Sequence, residues 1–323
     1  QRQMCIRDSS PFLECLERWL YAHHPKYWID VVEPKKTDIL YRNLDEDKRV
    51  LLESYRRTSG VMNYVRLING AFSTKPTSEW EEPDPIPWQA VMGREGNIYE
   101  TYDEFMEAEG HRDWPSIAVY FYRDEWIMGD IEYQQALFEE IYKHQYNPII
   151  FYGQYGSNPR VGIPNMKLSM NHLFGKDEFP FDVLINTCKF SFQSLGAQTL
   201  EELKLQDVPI VQGYTIYMDE KSWAENPQGV TPLDVNLSIS QPELDGVIQG
   251  GVVACQTYDE RGHYVYLPVK ERIAAIVQRA IKWSTLRHIP VSERKVAVIL
   301  HNYPPKNLSL IHISEPTRLD VIS

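Results

Sequence analysis

A few side chains stand where their types could do chemistry. Glu243 and Asp245 share the segment Pro-Glu-Leu-Asp-Gly (242–246), between two apolar runs. A carboxylate drawn into a dry cleft gains proton affinity and becomes a base near neutral pH. The same five residues also spell a turn, because Asp-Gly supplies turn chemistry, and both readings stay open. His301 follows the apolar run KVAVIL (295–300). An imidazole just past a buried strand can relay a proton or an ion; a lone histidine is more often a satisfied structural residue. Tyr122, Trp126 and Tyr303 offer faces that pack on flat rings, with core packing as the alternative. Other signals are weaker. His23 and His24 lack a third ligand at metal spacing, and Gly153, Gly156 and Gly162 match neither phosphate-cradling fingerprint. There is no Walker sequence and no GxSxG elbow.

The elements that must carry these residues follow from periodicity. From Pro11 to about Phe72 apolar residues recur at helical spacing, as in Leu51, Leu52 and Tyr55 and then Val61, Tyr64, Val65 and Ile68. Residues 73–88 are crowded with prolines (Pro76, Pro83, Pro85, Pro87) and acids, which predicts a linker. A short helix is expected over 102–110 with a glycine C-cap. From Ser116 the pattern changes to short apolar strands, SIAVYFY (116–122), NPIIFYG (147–153), FDVLINT (181–187), VPIVQ (208–212) and GVIQGGVVA (246–254), alternating with helices. The helix over 131–144 has Asp130 as its expected N-cap, and 270–286 is an amphipathic helix. After Pro290 the run 295–300 reads as a new strand. The fold class is α/β: a helical N-terminal region, then a flavodoxin-like, mostly parallel doubly wound sheet, then the first strand of a further α/β domain. Ligands of such sheets sit at the carboxyl ends of the strands.

Composition narrows the function classes. The chain has 323 residues, about two domains' worth. Its 33 basic and 45 acidic residues give a net charge of −12, a field that repels nucleic-acid backbones and anionic lipid. No apolar run has the length of a membrane span and no secretory leader opens the chain, so the cytoplasm is the expected compartment. Cys5, Cys15, Cys188 and Cys255 show no metal spacing and read as reduced thiols.

Several segments, taken in order, resemble one family. These are YRDEWIMGD (122–130), DVLINT (182–187), DVPIVQ (207–212), PELDG (242–246), RAIKW (279–283) and KVAVILHNYPPKN (295–307). Together they are similar to the large, tetrapyrrole-binding subunit of ATP-dependent cobaltochelatase and magnesium chelatase. The resemblance implies metal insertion into a macrocycle, with divalent cobalt or magnesium as substrate ion. It also implies that ATP-Mg is used by a separate ATPase subunit, which acts with a bridging subunit. It makes Glu243 a base for the pyrrole protons, His301 a metal or proton relay, and Tyr122, Trp126, Asp245 and Tyr303 macrocycle contacts. The HNYPP segment is typical of the cobalt branch, and imidazole suits late first-row ions better than magnesium. A non-enzymatic small-ligand module is the rival of another class. The two ends resemble translated sequencing-library adapters: QRQMCIRDS (1–9) and LSLIHISEPTR (308–318). The expected organisation is therefore 1–9 tail, 10–88 helical region and linker, 89–290 flavodoxin-like domain, 291–307 start of a truncated body, and 308–323 tail.

Overall fold

A computed structural model of the chain describes residues 45–58, 60–153, 164, 166–175, 179–192, 207–259 and 262–297. Packing divides the chain into two units, Gln1–Ser284 and Thr285–Ser323. The described part of the first begins with helices α1 (Glu46–Thr58) and α2 (Val61–Phe72). Leu52 and Tyr55 of α1 bury against Leu67 of α2.

Residues 73–88, read from composition as a linker, are held along their length. The Tyr55 hydroxyl donates to the Glu81 carbonyl. Asn63 donates to the Asp84 carbonyl at 2.9 Å and accepts from the Asp84 N–H at 2.8 Å. Prolines keep this stretch out of any ladder, and side chains from the helices take over its backbone groups.

The sheet is built as the apolar runs require. Its strands are β1 (Ala90–Met92), β2 (Ile98–Tyr99), β3 (Ser116–Tyr122), β4 (Asn147–Gly153), β5 (Val183–Asn186), β6 (Ile210–Ile216), β7 (Ile248–Tyr258) and β8 (Tyr264–Pro268). They lie in the order β2-β1-β4-β3-β5-β6-β7-β8. The run β4-β3-β5-β6-β7 is parallel throughout, and β1, β2 and β8 close the edges antiparallel. Counting only the parallel strands, the order is 2-1-3-4-5, that of flavodoxin-like sheets. β4 and β5 are buried at every position, which is why they read as unbroken apolar runs and not as alternating ones.

The remaining helices are α3 (Tyr102–Ala108), α4 (Arg123–Met128), α5 (Glu132–Lys143), α6 (Met166–Phe174), α7 (Glu220–Glu225), a helical segment α8 over 232–243 and α9 (Lys270–His288). α5 buries Leu137, Phe138 and Ile141, and α9 buries Ile273, Ile276, Val277 and Ala280.

Local details differ from expectation. α3 ends at Glu109, not at a left-handed glycine. α5 has Ile131 as N-cap with no side-chain cap; Asp130 is drawn instead to β8, accepting from the Tyr266 N–H at 3.0 Å. Of the strand expected over 295–300, residues 295–297 belong to no strand and are exposed, and the rest lies outside the described residues. No helix among the described residues is long and apolar enough to cross a membrane.

Candidate functional site

The sheet's topology marks one place for a ligand. β3 connects onward to β4 on one side, whereas its other neighbour β5 leads on to β6. A crevice opens outside the carboxyl ends of strands whose connections diverge in this way. Tyr122 ends β3 and α4 follows at once; Thr187, Cys188 and Lys189 follow β5.

Side chains from both sides meet here. The Glu125 carboxylate accepts from the Tyr133 hydroxyl at 2.6 Å and from the Gln134 amide at 2.7 Å. Tyr133 also lies 3.2 Å from the Thr187 hydroxyl, which donates to the Tyr120 carbonyl at 2.9 Å. α4 stops after barely two turns because Gly129 takes φ 74°, a left-handed conformation that glycine adopts without strain. The Asp130 N–H then reaches back to the Glu125 carbonyl at 2.9 Å. That turn sets Asp130 beside Glu125.

On the β5 side the backbone is clamped. Asn186 donates to Gln212 at 2.8 Å, and Gln212 donates to the Cys188 carbonyl at 2.9 Å. Tyr122 closes the clamp, accepting from the Lys189 N–H at 2.7 Å and donating to the Lys189 carbonyl at 3.0 Å. Lys189 is buried, its ammonium 3.3 Å from the centre of the Tyr217 ring and 3.4 Å from the Tyr266 hydroxyl. Phe190, next in the chain, holds φ 71°, an outlying conformation for a bulky residue. Its N–H donates to the Leu237 carbonyl at 2.7 Å.

The electrostatics follow from dryness. Glu125 keeps some exposed surface, but its carboxyl end is enclosed by protein. Loss of water pushes it up to about 8 against the Tyr133 hydrogen bond and the Lys189 charge, with Asp130 and Asp124 adding to the rise. Burial likewise raises Asp130 to about 6, opposed by the Tyr266 N–H. Burial, then the Glu125 charge, lifts the Cys188 thiol well above the ordinary range, so it stays a neutral thiol. An acid poised near neutrality beside a buried ammonium can exchange a proton with a ligand.

The residues singled out from the sequence distribute differently. Tyr122 and Trp126 are at this edge, but Tyr122 is spent on the Lys189 backbone. Trp126 stacks on Tyr152 at 5.5 Å and donates to the Gly96 carbonyl at 2.8 Å. Glu243 and Asp245 lead into the amino end of β7, which pairs with the start of β6, and the Asp245 carboxylate reaches the stretch that follows β5, where it also accepts from the Phe192 N–H. Glu243 is exposed. Asp245 is buried, accepts from the Ser191 hydroxyl at 2.7 Å and precedes Gly246 at φ 79°. The Asp245 side chain thus pins the stretch after β5, while Gly246 makes the turn. His301 and Tyr303 lie outside the described residues. Among the described residues no group of three or more His, Cys, Asp or Glu is placed to hold a metal ion.

Sequence reasoning passed over Glu125, Tyr133 and Lys189. The signal was a set of polar residues at the ends of apolar strands (Asn186, Thr187, Gln212), where a purely structural strand needs none.

Comparison with known proteins gives the family context. A family model described as CobN/Magnesium Chelatase matches residues 53–322, a span that includes most of the C-terminal stretch read as adapter-like. An uncharacterized protein of Methanocaldococcus jannaschii, MJ0908, is 29% identical over 82% of this chain and 23% of its own length. The aerobic cobaltochelatase subunit CobN of Pseudomonas aeruginosa is 24% identical over 71% of this chain and 18% of its own. The magnesium-chelatase H subunit of Rhodobacter capsulatus is 28% identical over 33% of this chain and 10% of its own. The chain thus spans less than a quarter of the length of these relatives. The structure of the catalytic subunit of cobaltochelatase from Mycobacterium tuberculosis superposes with a TM-score of 0.55 at 22% identity, over 75% of this chain and 20% of that one.

Proposed function

Because the chain belongs to the CobN/magnesium chelatase family, we propose that it is a segment of a large subunit that inserts cobalt into a corrin-precursor macrocycle. The observation that favours the cobalt reading is extent: likeness to the cobaltochelatase subunits of Pseudomonas aeruginosa and Sinorhizobium runs over 71% and 39% of the chain, against 33% for the magnesium-chelatase subunit of Rhodobacter capsulatus. His301, in HNYPP, supports the same branch, since imidazole favours late first-row ions and magnesium favours oxygen ligands. ATP is hydrolysed by a separate ATPase subunit that acts through a bridging subunit, in the cytoplasm.

Metal insertion removes two pyrrole protons while the ring is held still. In this reading the macrocycle edge lies over the carboxyl ends of β3 and β5, where a dry acid and a buried ammonium converge. His301 passes the ion, and Tyr303 packs on the ring. Glu243, exposed as it is, serves as a base only where another wall of the subunit covers it.

The test uses the complete large subunit with its two partners and ATP. Hydrogenobyrinic acid diamide with cobalt is compared with protoporphyrin IX with magnesium, following the macrocycle spectrum. Turnover with the first pair alone supports the proposal, and turnover with the second alone assigns the magnesium branch. A large subunit whose addition shifts neither macrocycle spectrum is a small-ligand module.

A further inference from the structure

We propose that the paired rings of Tyr258 and Tyr264, on the arm made by the end of β7 and the start of β8, are a platform on which one face of the bound macrocycle packs. The identity of the ligand rests on the function proposed above; the place and the chemistry of the platform come from the fold.

The arm stands beyond the edge where ligands of such sheets sit. The last β6–β7 pair is Ile216 with Cys255, and from there Gln256, Thr257 and Tyr258 pair with β8 alone. At about 3.3 Å per residue, β7 overruns its neighbour by roughly 10 Å, at the carboxyl ends of the parallel strands. Its root is tied across the crevice. The Tyr266 N–H donates to Asp130, after α4, at 3.0 Å, and the Tyr266 hydroxyl lies 3.4 Å from the Lys189 ammonium, after β5. α5 packs on β8 as well as on β4. The arm therefore leans toward the space beside β3 and β5.

The pleat decides which side chains look into that space. Tyr266 points to Lys189, and residues two apart on a strand share a face, so Tyr264 stands above Tyr266 on the crevice side. Gln256 pairs with Tyr266 and Tyr258 with Tyr264. The side-chain contacts agree: the Gln256 amide is 3.5 Å from the Tyr266 hydroxyl, and the Tyr258 hydroxyl donates to that of Tyr264 at 2.6 Å. Val265 and Leu267 take the opposite face.

The chemistry of the pair selects its ligand. The two ring centres are 4.4 Å apart with the planes 36° from parallel. The hydroxyls bond each other, so what the pair turns outward is mainly ring surface, with Tyr258 60% and Tyr264 47% exposed. A cross-strand aromatic pair also steadies a hairpin. Hairpin stability alone, however, does not require the rings to stand on the crevice side, beyond the ligand edge. A broad, rigid, conjugated ring, apolar on its faces, is the class of ligand that covers such a surface; a sugar or an amino acid gains little from it.

The experiment titrates the complete large subunit with metal-free hydrogenobyrinic acid diamide and with protoporphyrin IX, reading Kd from the macrocycle spectrum. Removing both rings, Tyr258→Ala with Tyr264→Ala, should weaken binding about tenfold. Tyr258→Phe with Tyr264→Phe keeps the faces and loses only the hydroxyls, and should bind within about twofold of wild type. Leu267→Ala, on the opposite face of β8, should leave Kd unchanged. A second measurement does not depend on how the alanine variant folds. Tyr264→p-azidophenylalanine and, separately, Leu267→p-azidophenylalanine are photolysed with the macrocycle bound, and mass spectrometry should find the adduct at position 264 and not at 267. A double alanine variant with wild-type Kd, or a macrocycle-binding subunit with no adduct at 264, overturns the platform while leaving the proposed function standing. A wild-type subunit that shifts neither macrocycle spectrum refutes that function, and the macrocycle as the ligand of this surface with it.

Discussion

Replacing Arg123 by Met should release the proline-rich strap from the sheet. Among the described residues Arg123 is the largest fully buried side chain, 2% exposed, at the start of α4. Its guanidinium donates to the carbonyls of Pro87 at 2.8 Å, Ile86 at 3.1 Å and Thr58 at 3.1 Å, and lies 4.5 Å from the Trp88 ring centre. Carbonyls and a ring face hold the fork, and burial lowers its proton affinity, with Asp124 partly opposing. Met keeps the apolar stem and removes every donor. Each buried carbonyl left without a partner costs about 1–3 kcal/mol, and the lost cation–π contact about 0.5–2 kcal/mol. Against this, the variant no longer desolvates a cation, which offsets part of that loss and leaves a net of about 3–4 kcal/mol. Urea unfolding should show a midpoint drop equivalent to about 3–4 kcal/mol. Limited proteolysis should open new cleavage between Ser73 and Trp88, because all three carbonyls belong to the strap or to the end of α1. A loss under about 1 kcal/mol with no new cleavage would refute the view that one cation ties the helical pair to the sheet.

Three further outcomes follow from the same reasoning. Glu125 rises from 4.5 to about 8 and Asp130 from 3.8 to about 6 on folding, so the folded chain binds these protons more tightly. Their contribution is whole below the unfolded values and is lost as pH climbs through about 6 and then about 8. At about 1.4 kcal/mol for each tenfold change in proton affinity, Glu125 alone sets a ceiling of about 5 kcal/mol. The wild type should therefore be less stable at about pH 9 than at about pH 5, and Glu125→Gln should flatten that slope; parallel curves would sink the assignment. Asn147→Leu should cost about 2–4 kcal/mol in thermal unfolding. This buried amide accepts from the His111 N–H at 2.8 Å and donates to the His111 and Trp114 carbonyls at 2.9 Å each; a neutral effect would mean those groups find other partners. Gly250→Ala should cost about 1–3 kcal/mol, since a Cβ there would be driven into the Gln212 carbonyl oxygen, closer than side chains ordinarily come. A Gly250→Ala protein of undiminished stability, with unchanged β6–β7 amide protection, would show that the irregular pairing of these strands, whose register shifts between Gln212 and Gly213, can yield.

Much of the architecture was legible because burial leaves its mark on composition. β3 and β4 are covered on both faces and appear as apolar runs, falling on SIAVYFY and NPIIFYG residue for residue, whereas β6 and β7, with polar and glycine positions, run over 210–216 and 248–258 and not 208–212 and 246–254. The edges were not legible, for the converse reason. β1 and β2 have three and two residues, too few for a period, and the pattern of β8 is mixed because one side of it is free. Asp130 shows the limit of local rules: its position before α5 suits a cap, but the unpaired Tyr266 N–H, distant in sequence, claims the carboxylate.

The site was harder to read than the fold because function here depends on which polar residues are dry. In sequence, Glu125 is one acid among three in YRDEWIMGD, and Glu243 looks better placed, framed by Pro and Gly. Folding gives the two segments different surroundings. PELDG leads into the amino end of a strand, where the Asp245 carboxylate accepts from the Ser191 hydroxyl and the Phe192 N–H. YRDEWIMGD instead begins at the carboxyl end of β3, next to the strand whose connections diverge from it. Proton affinity in the range useful to an enzyme comes from enclosure, and enclosure is made jointly by α5, the end of β5 and β8. No window of sequence contains those three elements together; the strand order that brings them together is what turns an ordinary glutamate into the group most able to trade a proton.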